Sequence, residues 1–431
     1  MTYEEMLEEI NRIPMFGTSG GLENVKKYLS LLNHPERNLQ VIHVAGTNGK
    51  GSVCAFMESV LRTAGYKTAL FTSPHLVRIN ERFRIDFQEC DDQVLMDAWI
   101  RVKELLGDRE KYGLSMLTYY EIMFLMGMLV FSWAKPDYCI LETGLGGRLD
   151  ATVLTDPILC VITSISLDHM SILGDTIPKI AEEKAGIIKE GVPVVFLDEE
   201  NGAGPVIRRK AAEKDSEVLS VSYRDVTFFK NVTKAIDFSM ENRYYRLNYV
   251  HIVSRAHYQM VNAMMAMTAI HRILPELPDQ VMREGIRRMR WPGRMEEIAP
   301  DVYLDGAHNP GAVEQIVKML GQDEDDWSLL FAVCSDKDYE SMISMLSTVP
   351  WKHIYITKIE TARGAGVATV ADCFSRYSQA PITIYDTSGE AFEKACGGLG
   401  QGEKLLCLGS LYLAGELKDH LDRKEREGNH D

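Results

Sequence analysis

The sequence predicts an α/β protein with a P-loop-type domain, built on a mostly parallel sheet, followed by a smaller Rossmann-like α/β domain. Three observations lead to this prediction. Short apolar runs alternate with segments of helical spacing, a glycine-rich motif separates the first run from the next helix, and the alternation begins again after residues 291–293. Alternating strands and helices form βαβ units, in which neighbouring strands run parallel. We expect the two domains to cover residues 1–293 and 294–431.

The predicted strands of the first domain are short apolar runs. They lie at 39–44, 68–71, 138–141, 159–163 and 192–197, with a helix expected at 52–64. The longest apolar stretch, 122–134, is too short to span a bilayer, which needs about 20 residues. We interpret it as a buried helix and predict no contact with a membrane.

The pattern changes between residues 216 and 254, where short polar segments predict a small antiparallel sheet. Helices are expected at about 257–272 and 280–289, before a linker at Pro292-Gly293. The second alternating series predicts strands at 302–304, 329–333, 353–357, 382–385 and 405–408, with helices after Pro310 and at 339–346.

Composition excludes several classes of protein. The 431 residues include 47 Lys and Arg against 62 Asp and Glu, a net charge of −15, which disfavours a large nucleic-acid-binding surface. Eight cysteines without a CxxC spacing predict reduced thiols rather than a zinc ribbon. The acidic N-terminus lacks the apolar core of a secretory signal. We therefore expect a cytoplasmic protein, and a monomer.

The strongest local signal is the motif Gly-Thr-Asn-Gly-Lys-Gly-Ser at residues 46–52, between a predicted strand and a predicted helix. Glycines let backbone N–H groups turn toward a phosphate, and the helix N-terminus favours negative charge. Lys50 would reach the β- and γ-phosphates, and the Ser52 hydroxyl would lie near a metal ion. Because Val44 and Gly51 break the GxxxxGK[ST] spacing, a plain glycine-rich turn is the alternative.

Ordered motifs in the rest of the chain support the phosphate-loop interpretation. They lie at residues 73–76, 142–152, 163–169, 183–188, 292–294 and 305–310. Together with the glycine-rich loop, this set resembles the folylpolyglutamate synthase and dihydrofolate synthase family of the Mur ligase superfamily. The sequence departs from that family at four positions. Val153 stands where Asn is usual, and Ser166 stands where Gly is usual. Ala256 and Tyr258 replace the usual Gly and His.

The resemblance implies an ATP-dependent ligase that adds L-glutamate to the γ-carboxylate of a folate through an acyl phosphate, releasing ADP and phosphate. Synthesis of dihydrofolate from dihydropteroate is a close alternative. Two other functions stay open at this point. The chain could be a Mur-type amide ligase that acts on another carboxylate, or a P-loop nucleotide switch that binds without ligating.

The resemblance also implies residues for ATP and for Mg²⁺ at two sites. The expected ATP contacts are Thr47, Asn48, Gly49, Lys50, Gly51, Ser52, Asn262, Arg294 and Asp305. The expected metal ligands are Ser73, Glu142, His169 and a Lys184 carbamylated by CO₂, and the expected catalytic residues are Lys50, Lys184 and His169. Without the family, Glu142 could be a solvated carboxylate, His169 a structural histidine, and Lys184 a solvent-facing lysine.

The resemblance places the pterin-bearing substrate near the start of the long buried helix, at Thr118, Tyr119, Tyr120 and Glu121. An aromatic ring can stack on a flat ligand, while a carboxylate accepts its N–H groups. An ordinary helix start with Thr118 as N-cap is the alternative. The remaining expected substrate residues are Arg82, Arg148 and Asp150. The three arginines Arg82, Arg84 and Arg148 could hold the glutamate carboxylates.

Overall fold

A computed structural model describes residues 1–15, 20–232 and 234–428. The helices are α1 (Tyr3–Asn11), α2 (Gly21–Leu31), α3 (Lys50–Thr63), α4 (Asp92–Gly107), α5 (Tyr119–Ala134), α6 (Met170–Leu173), α7 (Ile177–Lys184), α8 (Ala203–Glu213), α9 (Tyr258–Ile273), α10 (Asp279–Arg288), α11 (Pro310–Leu320), α12 (Tyr339–Leu346), α13 (Val367–Tyr377), α14 (Ser388–Gly397) and α15 (Leu411–Gly428).

The strands alternate with these helices along most of the chain. They are β1 (Val41–Ala45), β2 (Thr68–Phe71), β3 (Phe83–Ile85), β4 (Gln88–Glu89), β5 (Tyr138–Glu142), β6 (Pro157–Ile162), β7 (Val194–Leu197), β8 (Val218–Val221), β9 (Val226–Val232), β10 (Ala235–Glu241), β11 (Arg246–Ile252), β12 (Glu296–Ala299), β13 (Val302–Leu304), β14 (Trp327–Phe331), β15 (Ile354–Thr357), β16 (Ile382–Tyr385) and β17 (Lys404–Leu408).

The larger sheet has the strand order β4-β3-β2-β5-β1-β6-β7-β8 within the described residues. Its strands pair in parallel except at β3 and β4, which run antiparallel. Apolar side chains cover both faces, with α3, α9 and α10 on one and α1, α2, α4 and α5 on the other. The central strand β1 lies between β5 and β6, so the loops that follow these three strands meet at one edge of the sheet.

The second sheet follows the order β12-β13-β17-β14-β15-β16 among the residues that the structure describes. Only its edge strand β12 pairs antiparallel there. The mixed α/β architecture predicted for the chain, with a larger and mostly parallel sheet first, is confirmed. The domain boundary predicted between residues 293 and 294 falls between α10 and β12 and stays a prediction. Ala256, which precedes this boundary, packs into the core around the second sheet.

The strands predicted from the apolar runs lie within two residues of their observed bounds. The prediction for residues 216–254 was partly wrong. Strands β9, β10 and β11 form the expected antiparallel sheet, but β8 pairs in parallel with β7 at the edge of the larger sheet. The pattern also missed β3 and β4, which are too short to show alternation and are joined by Asp86 and Phe87, both at positive φ.

The apolar run at 122–134 lies in α5 and is buried, as predicted. None of the described helices is both long enough and apolar enough to cross a membrane. Thr118 begins α5 as its N-cap, and the Thr118 and Glu121 side chains bond reciprocally to each other's backbone N–H groups.

Candidate active site

The glycine-rich loop occupies the turn between β1 and α3. Gly49, with φ 84°, is the N-cap of α3, and a Cβ there would lie 2.5 Å from Asn262 Oδ1. A Cβ at Gly46 would lie 1.8 Å from Thr163 Oγ1. Any side chain at these two positions would therefore collide with a neighbour, which explains why the turn needs glycine.

Lys50 and Glu142 face each other across this turn. Glu142 is the last residue of β5 and is the register partner of Val44 in β1. Lys50 Nζ lies 3.8 Å from Glu142 Oε1 and donates to the Thr47 carbonyl at 3.2 Å. Burial raises the pKa of Glu142, while Lys50 opposes this shift. Because Glu142 is 5% exposed, the solvated-carboxylate alternative is wrong.

Ser73 lies beside Glu142, in the loop that follows β2. Its backbone N–H donates to Glu142 Oε2 at 3.3 Å. The described residues contain no group of three His, Cys, Asp or Glu side chains that could hold a metal ion alone. A carboxylate and a hydroxyl still suit Mg²⁺, which prefers oxygen and usually takes most of its ligands from water and phosphate. The donor chemistry at Ser73 and Glu142 therefore fits this ion.

Lys184 ends α7 and points into the same region. Only 4% of it is exposed, and its Nζ donates to the Gly46 carbonyl at 2.7 Å. Burial, aided by the charge of Lys50, lowers the pKa of Lys184 to about 7. The solvent-facing alternative for this lysine is therefore wrong. A substantial share of neutral amine at neutral pH is the condition that carbamylation by CO₂ requires.

His169 is the N-cap of α6 and has a left-handed backbone, with φ 49°. Burial lowers the pKa of its imidazole, although Asp168 opposes this shift. A neutral imidazole can offer a lone pair to a metal ion. Its side chain, 39% exposed, lines the same cleft as Lys50, Glu142 and Lys184.

Two of the residues predicted to contact ATP from beyond the loop, Arg294 and Asp305, lie on the other side of the cleft, whereas Asn262 lies beside Gly49. Asn262 is in α9, Arg294 follows α10, and Asp305 follows β13. Asp305 accepts from Tyr258 Oη at 2.5 Å and from the Met295 and Ala307 N–H groups at 2.9 and 2.8 Å. Burial raises the pKa of Asp305, and the charge of Arg294 opposes that shift.

One cleft of about 1700 Å³ joins these groups. It is lined by the glycine-rich loop and by Ser73, Glu142, His169, Lys184, Asn262, Arg294 and Asp305. The structure therefore brings together the residues predicted to bind ATP and metal, from both sheets. Their individual roles stay predictions.

Arg84 lines this cleft, whereas the other predicted substrate residues do not: Thr118, Tyr119, Tyr120, Glu121, Arg82, Arg148 and Asp150. Tyr120 comes closest, since its hydroxyl donates to the Glu142 carbonyl at 3.3 Å. The Arg82 guanidinium lies 5.5 Å from the centre of the Tyr119 ring and donates to His75 Nδ1 at 2.8 Å. These contacts place the start of α5 next to Glu142, whose carboxylate faces Lys50.

Three further substrate candidates already have strong partners. Arg148 donates twice to Glu183 Oε1, at 3.2 and 2.9 Å, and its side chain is 55% exposed. Arg84 lies 3.1 Å from Glu58, whose buried carboxylate has a pKa raised to about 7. Asp150 accepts from the N–H groups of residues 144, 145 and 152 and from the Thr152 hydroxyl. The predicted roles of Arg82, Arg148 and Asp150 in substrate binding remain untested.

Sequence reasoning missed several polar residues of the cleft. His308 lines it, with Nδ1 donating to the Gly306 carbonyl at 2.8 Å, and burial lowers its pKa to about 4. Lys337 also lines it and lies 2.8 Å from Asp168. The motif at 305–310 contained the signal for His308, whereas nothing near Lys337 in the sequence marks it.

Comparison with known proteins decides the family. Residues 44–270 match the Mur ligase middle domain, and residues 287–411 match the Mur ligase glutamate ligase domain. A dihydrofolate synthase/folylpolyglutamate synthase of Bacillus subtilis is 34% identical over 97% of this chain and 99% of its own length. The chain belongs to the folylpolyglutamate synthase and dihydrofolate synthase family of Mur ligases. The resemblance seen in the sequence is thereby confirmed, and the chain is an ATP-dependent ligase of this family.

Other members of the family agree with this assignment. Folylpolyglutamate synthase of Lacticaseibacillus casei is 31% identical over 83% of this chain and 86% of its own length. The structure of E. coli FolC in complex with DHPP and ADP matches with a TM-score of 0.87 and 27% identity, covering 99% of both chains. The Mycobacterium tuberculosis folylpolyglutamate synthase, with ADP and AMPPCP, has a TM-score of 0.89 over 97% of both chains, and at 23% identity it supports the fold.

Proposed function

We propose that this chain adds L-glutamate to the γ-carboxylate of a folate in an ATP-dependent reaction that passes through an acyl phosphate and releases ADP and phosphate. The same site would also make dihydrofolate from dihydropteroate and glutamate. The observation that carries this proposal is the single cleft in which Lys50, Glu142 and Lys184 face Arg294 and Asp305. The chain also spans nearly all of a relative named for both activities.

The loop at 46–52 would bind the phosphates of ATP. Its backbone N–H groups and the N-terminus of α3 provide the favourable field for an anion. The Lys50 ammonium, already beside Glu142, would stabilise charge that develops on the transferring γ-phosphoryl group and on the departing ADP as the folate carboxylate attacks the γ-phosphorus. Asn262, Arg294 and Asp305 would hold the rest of the nucleotide, so that ATP bridges the two sheets.

Ser73 and Glu142 would hold one Mg²⁺, and His169 with a carbamylated Lys184 would hold a second. The ions would neutralise phosphate charge during transfer. The support for a carbamate is the buried amine, whose pKa of about 7 leaves much of it unprotonated. The same amine donates to the Gly46 carbonyl at 2.7 Å and so braces the phosphate loop.

The folate would enter from the side of α5, with its pterin near Thr118, Tyr119, Tyr120, Glu121 and Asp150. Arg82 and Arg148 would hold carboxylates of the folate or of the incoming glutamate. The support for this arrangement is the contact of Tyr120 with the Glu142 carbonyl, which joins the α5 side to the ATP side. A further support is the matching fold of E. coli FolC, which was solved with DHPP.

We also propose that the chain works as a cytoplasmic monomer with domains at 1–293 and 294–431. Its eight cysteines are free thiols, and seven of them are buried. Thiols kept reduced in this way are typical of the cytosol.

One assay matrix tests the proposed function. Purified protein, ATP and Mg²⁺ are offered tetrahydrofolate, dihydropteroate or a UDP-muropeptide, each with and without L-glutamate, while phosphate release and product mass are measured. We expect one added glutamate on both pterin compounds, and phosphate release that depends on each acceptor. Product from the UDP-muropeptide alone would favour another Mur-type ligase, and no product with any acceptor would favour a nucleotide switch.

A further inference from the structure

Asn309, which precedes α11, bonds directly to the phosphate loop on the other side of the cleft. Its Nδ2 donates to Asn48 Oδ1 at 2.9 Å, and its Oδ1 accepts from Asn48 Nδ2 at 3.1 Å. The same side chain donates to Asp168 Oδ2 at 3.0 Å and accepts from the Ala312 N–H at 2.9 Å as the N-cap of α11. These four bonds use both donors and both acceptor positions of the amide.

The partners of Asn309 are themselves fixed. The Asn48 carbonyl accepts from Thr163 Oγ1 at 2.7 Å and from Ser164 Oγ at 3.2 Å, so the loop residue is held against the segment that follows β6. Asp168, in that same segment, forms a 2.8 Å ion pair with Lys337, and the two side chains are only 11% and 10% exposed. Asn309 therefore links the phosphate loop, the segment after β6 and helix α11.

The first turn of α11 fits closely against the segment that follows β6. A Cβ at Gly311, in the first turn of α11, would lie 2.7 Å from Ser166 Oγ. Asn309 itself is 2% exposed, so its amide has little access to water in this arrangement. Moving the second sheet away would remove three of its bonds at once and leave the loop's Asn48 without its amide partner. Buried polar groups that lose partners are costly, so this contact favours one relative position of loop and helix.

We propose that Asn309 is a positioning residue that couples nucleotide binding at residues 46–52 to the closed position of the second sheet. When the second sheet is in the closed position, Asn309 fixes the side chain of Asn48 and holds Asp168 in place for its ion pair with Lys337. A nucleotide that orders the loop then favours closure, and closure favours the nucleotide, because the two changes share the same hydrogen bonds. This inference rests on the proposed function only in requiring that the loop bind a nucleotide.

The test uses the full-length protein and ADP with Mg²⁺. Asn309→Asp keeps the shape and the N-cap oxygen but replaces the donor amide by an oxygen that faces Asp168 and Asn48 Oδ1. We expect ADP affinity to fall about 10- to 100-fold, as for the loss of hydrogen bonds to a charged group. The double variant Asp168→Asn/Asn309→Asp restores a donor and an acceptor at these two positions with the wild-type charge, so it should recover at least part of that affinity.

Hydrogen exchange of peptides covering 46–52 and 310–320 separates coupling from a general loss of stability. In the wild type, ADP should protect both peptides, whereas in Asn309→Asp any protection at saturating ADP should be confined to the loop. Asn309→Ser, which keeps only the cap, should behave like Asn309→Asp. Asn242→Asp is the matched control, because this half-buried amide donates to Thr268 at 3.1 Å and does not line the cleft. Its ADP affinity should equal that of the wild type.

Two results would overturn the inference. If Asn309→Asp and Asn309→Ser bind ADP with wild-type affinity and protect both peptides, Asn309 is only a helix cap and the proposed ligase function is unaffected. If the wild-type protein binds no ADP, both the coupling and the proposed function are wrong. A double variant that recovers neither affinity nor protection of 310–320 would also count against the specific role of the Asn309–Asp168 bond.

Discussion

The nucleotide side and the substrate side of this molecule differ in how far their polar groups are already bonded. Lys50 Nζ has three donors, and its described partners are the Thr47 carbonyl at 3.2 Å and Glu142 at 3.8 Å. Asp150, in contrast, accepts from four donors, and Arg148 binds Glu183 through two of its nitrogens. Lys50 therefore keeps donor capacity for a ligand, whereas a ligand at Asp150 or Arg148 would have to compete with existing bonds.

This difference leads us to expect catalytic losses from changes on the nucleotide side and smaller, partly structural losses from changes on the substrate side. Groups held ready for charge that develops during reaction contribute most to rate. Groups that are bonded within the protein contribute first to stability. Four substitutions test this contrast.

The largest effect is expected for Lys50→Ala. Removing the ammonium from the phosphate loop should lower kcat by about 10²- to 10³-fold, because its charge faces the transferring phosphate. The thermal midpoint should change little, since the side chain lines the cleft. Phosphate release at saturating ATP measures the effect. Lys179→Ala, an exposed lysine paired with Asp175, is the control, and near-normal turnover in Lys50→Ala would exclude the proposed role.

Lys184→Ala should lower kcat by about 10²-fold through loss of the second metal site. Acetate or formate should restore part of the activity by filling the vacated space with a carboxylate. ¹³C NMR after exposure to ¹³CO₂ should show a carbamate signal in the wild type that is missing from the variant. Lys210→Ala, on α8 and paired with Glu182, should keep that signal. An active, metal-loaded wild type without a carbamate would contradict the modification.

Glu142→Gln should raise the Mg²⁺ concentration needed for half-maximal activity by about tenfold or more, because a neutral amide binds this ion poorly. The loss of stability should be small by comparison, since the amide keeps the shape of the side chain. A Mg²⁺ titration of initial rates measures this, with thermal melting in parallel. An unchanged Mg²⁺ dependence would argue that Glu142 serves to orient Lys50.

The smallest effect is expected for Thr118→Ala, on the substrate side. Loss of the N-cap of α5 should lower the free energy of unfolding by about 1 kcal/mol. If Thr118 also binds the pterin, KM for dihydropteroate should rise as well, while Thr118→Ser keeps both properties. Thr387→Ala removes a similar cap from α14, which is remote from the cleft, and should lower stability alone. Equal KM values for Thr118→Ala and Thr387→Ala would leave Thr118 as a cap only.

Most of the regular structure could be predicted because the apolar runs of β1, β5, β6 and β7 are buried on both faces, apart from the half-buried Ile158 in β6, and stand out in the sequence. The hairpin β3–β4 could not, because its two-residue turn is formed by Asp86 and Phe87. A turn of this kind usually contains asparagine or glycine, and phenylalanine gives no such signal. Likewise β8 resembles the antiparallel strands that follow it, and only its pairing with β7 distinguishes it.

The site, like the fold, contains residues whose positions could be predicted from the sequence and residues whose positions could not. Glu142 and the loop at 46–52 could be predicted together because the ends of neighbouring parallel strands meet. The burial of Lys184 could not be read from the residues alone, because the surrounding glutamates suggested an exposed helix. Its position depends on the approach of α7 to the Gly46 carbonyl, a tertiary contact between residues far apart in sequence. The ion pair of Lys337 with Asp168 has the same origin.

The packing of residues 255 and 256 has a consequence for how the chain is made. Both precede the predicted boundary, yet Ala256 belongs to the core around the second sheet and Arg255 lies against the rings of Tyr303 and Trp327. Proteins are synthesised from the N-terminus, and domains generally fold as units while synthesis continues. Arg255, just before α9, can reach its final contacts only after Trp327 has left the ribosome. These contacts of the first part of the chain therefore form only once part of the second sheet has been synthesised.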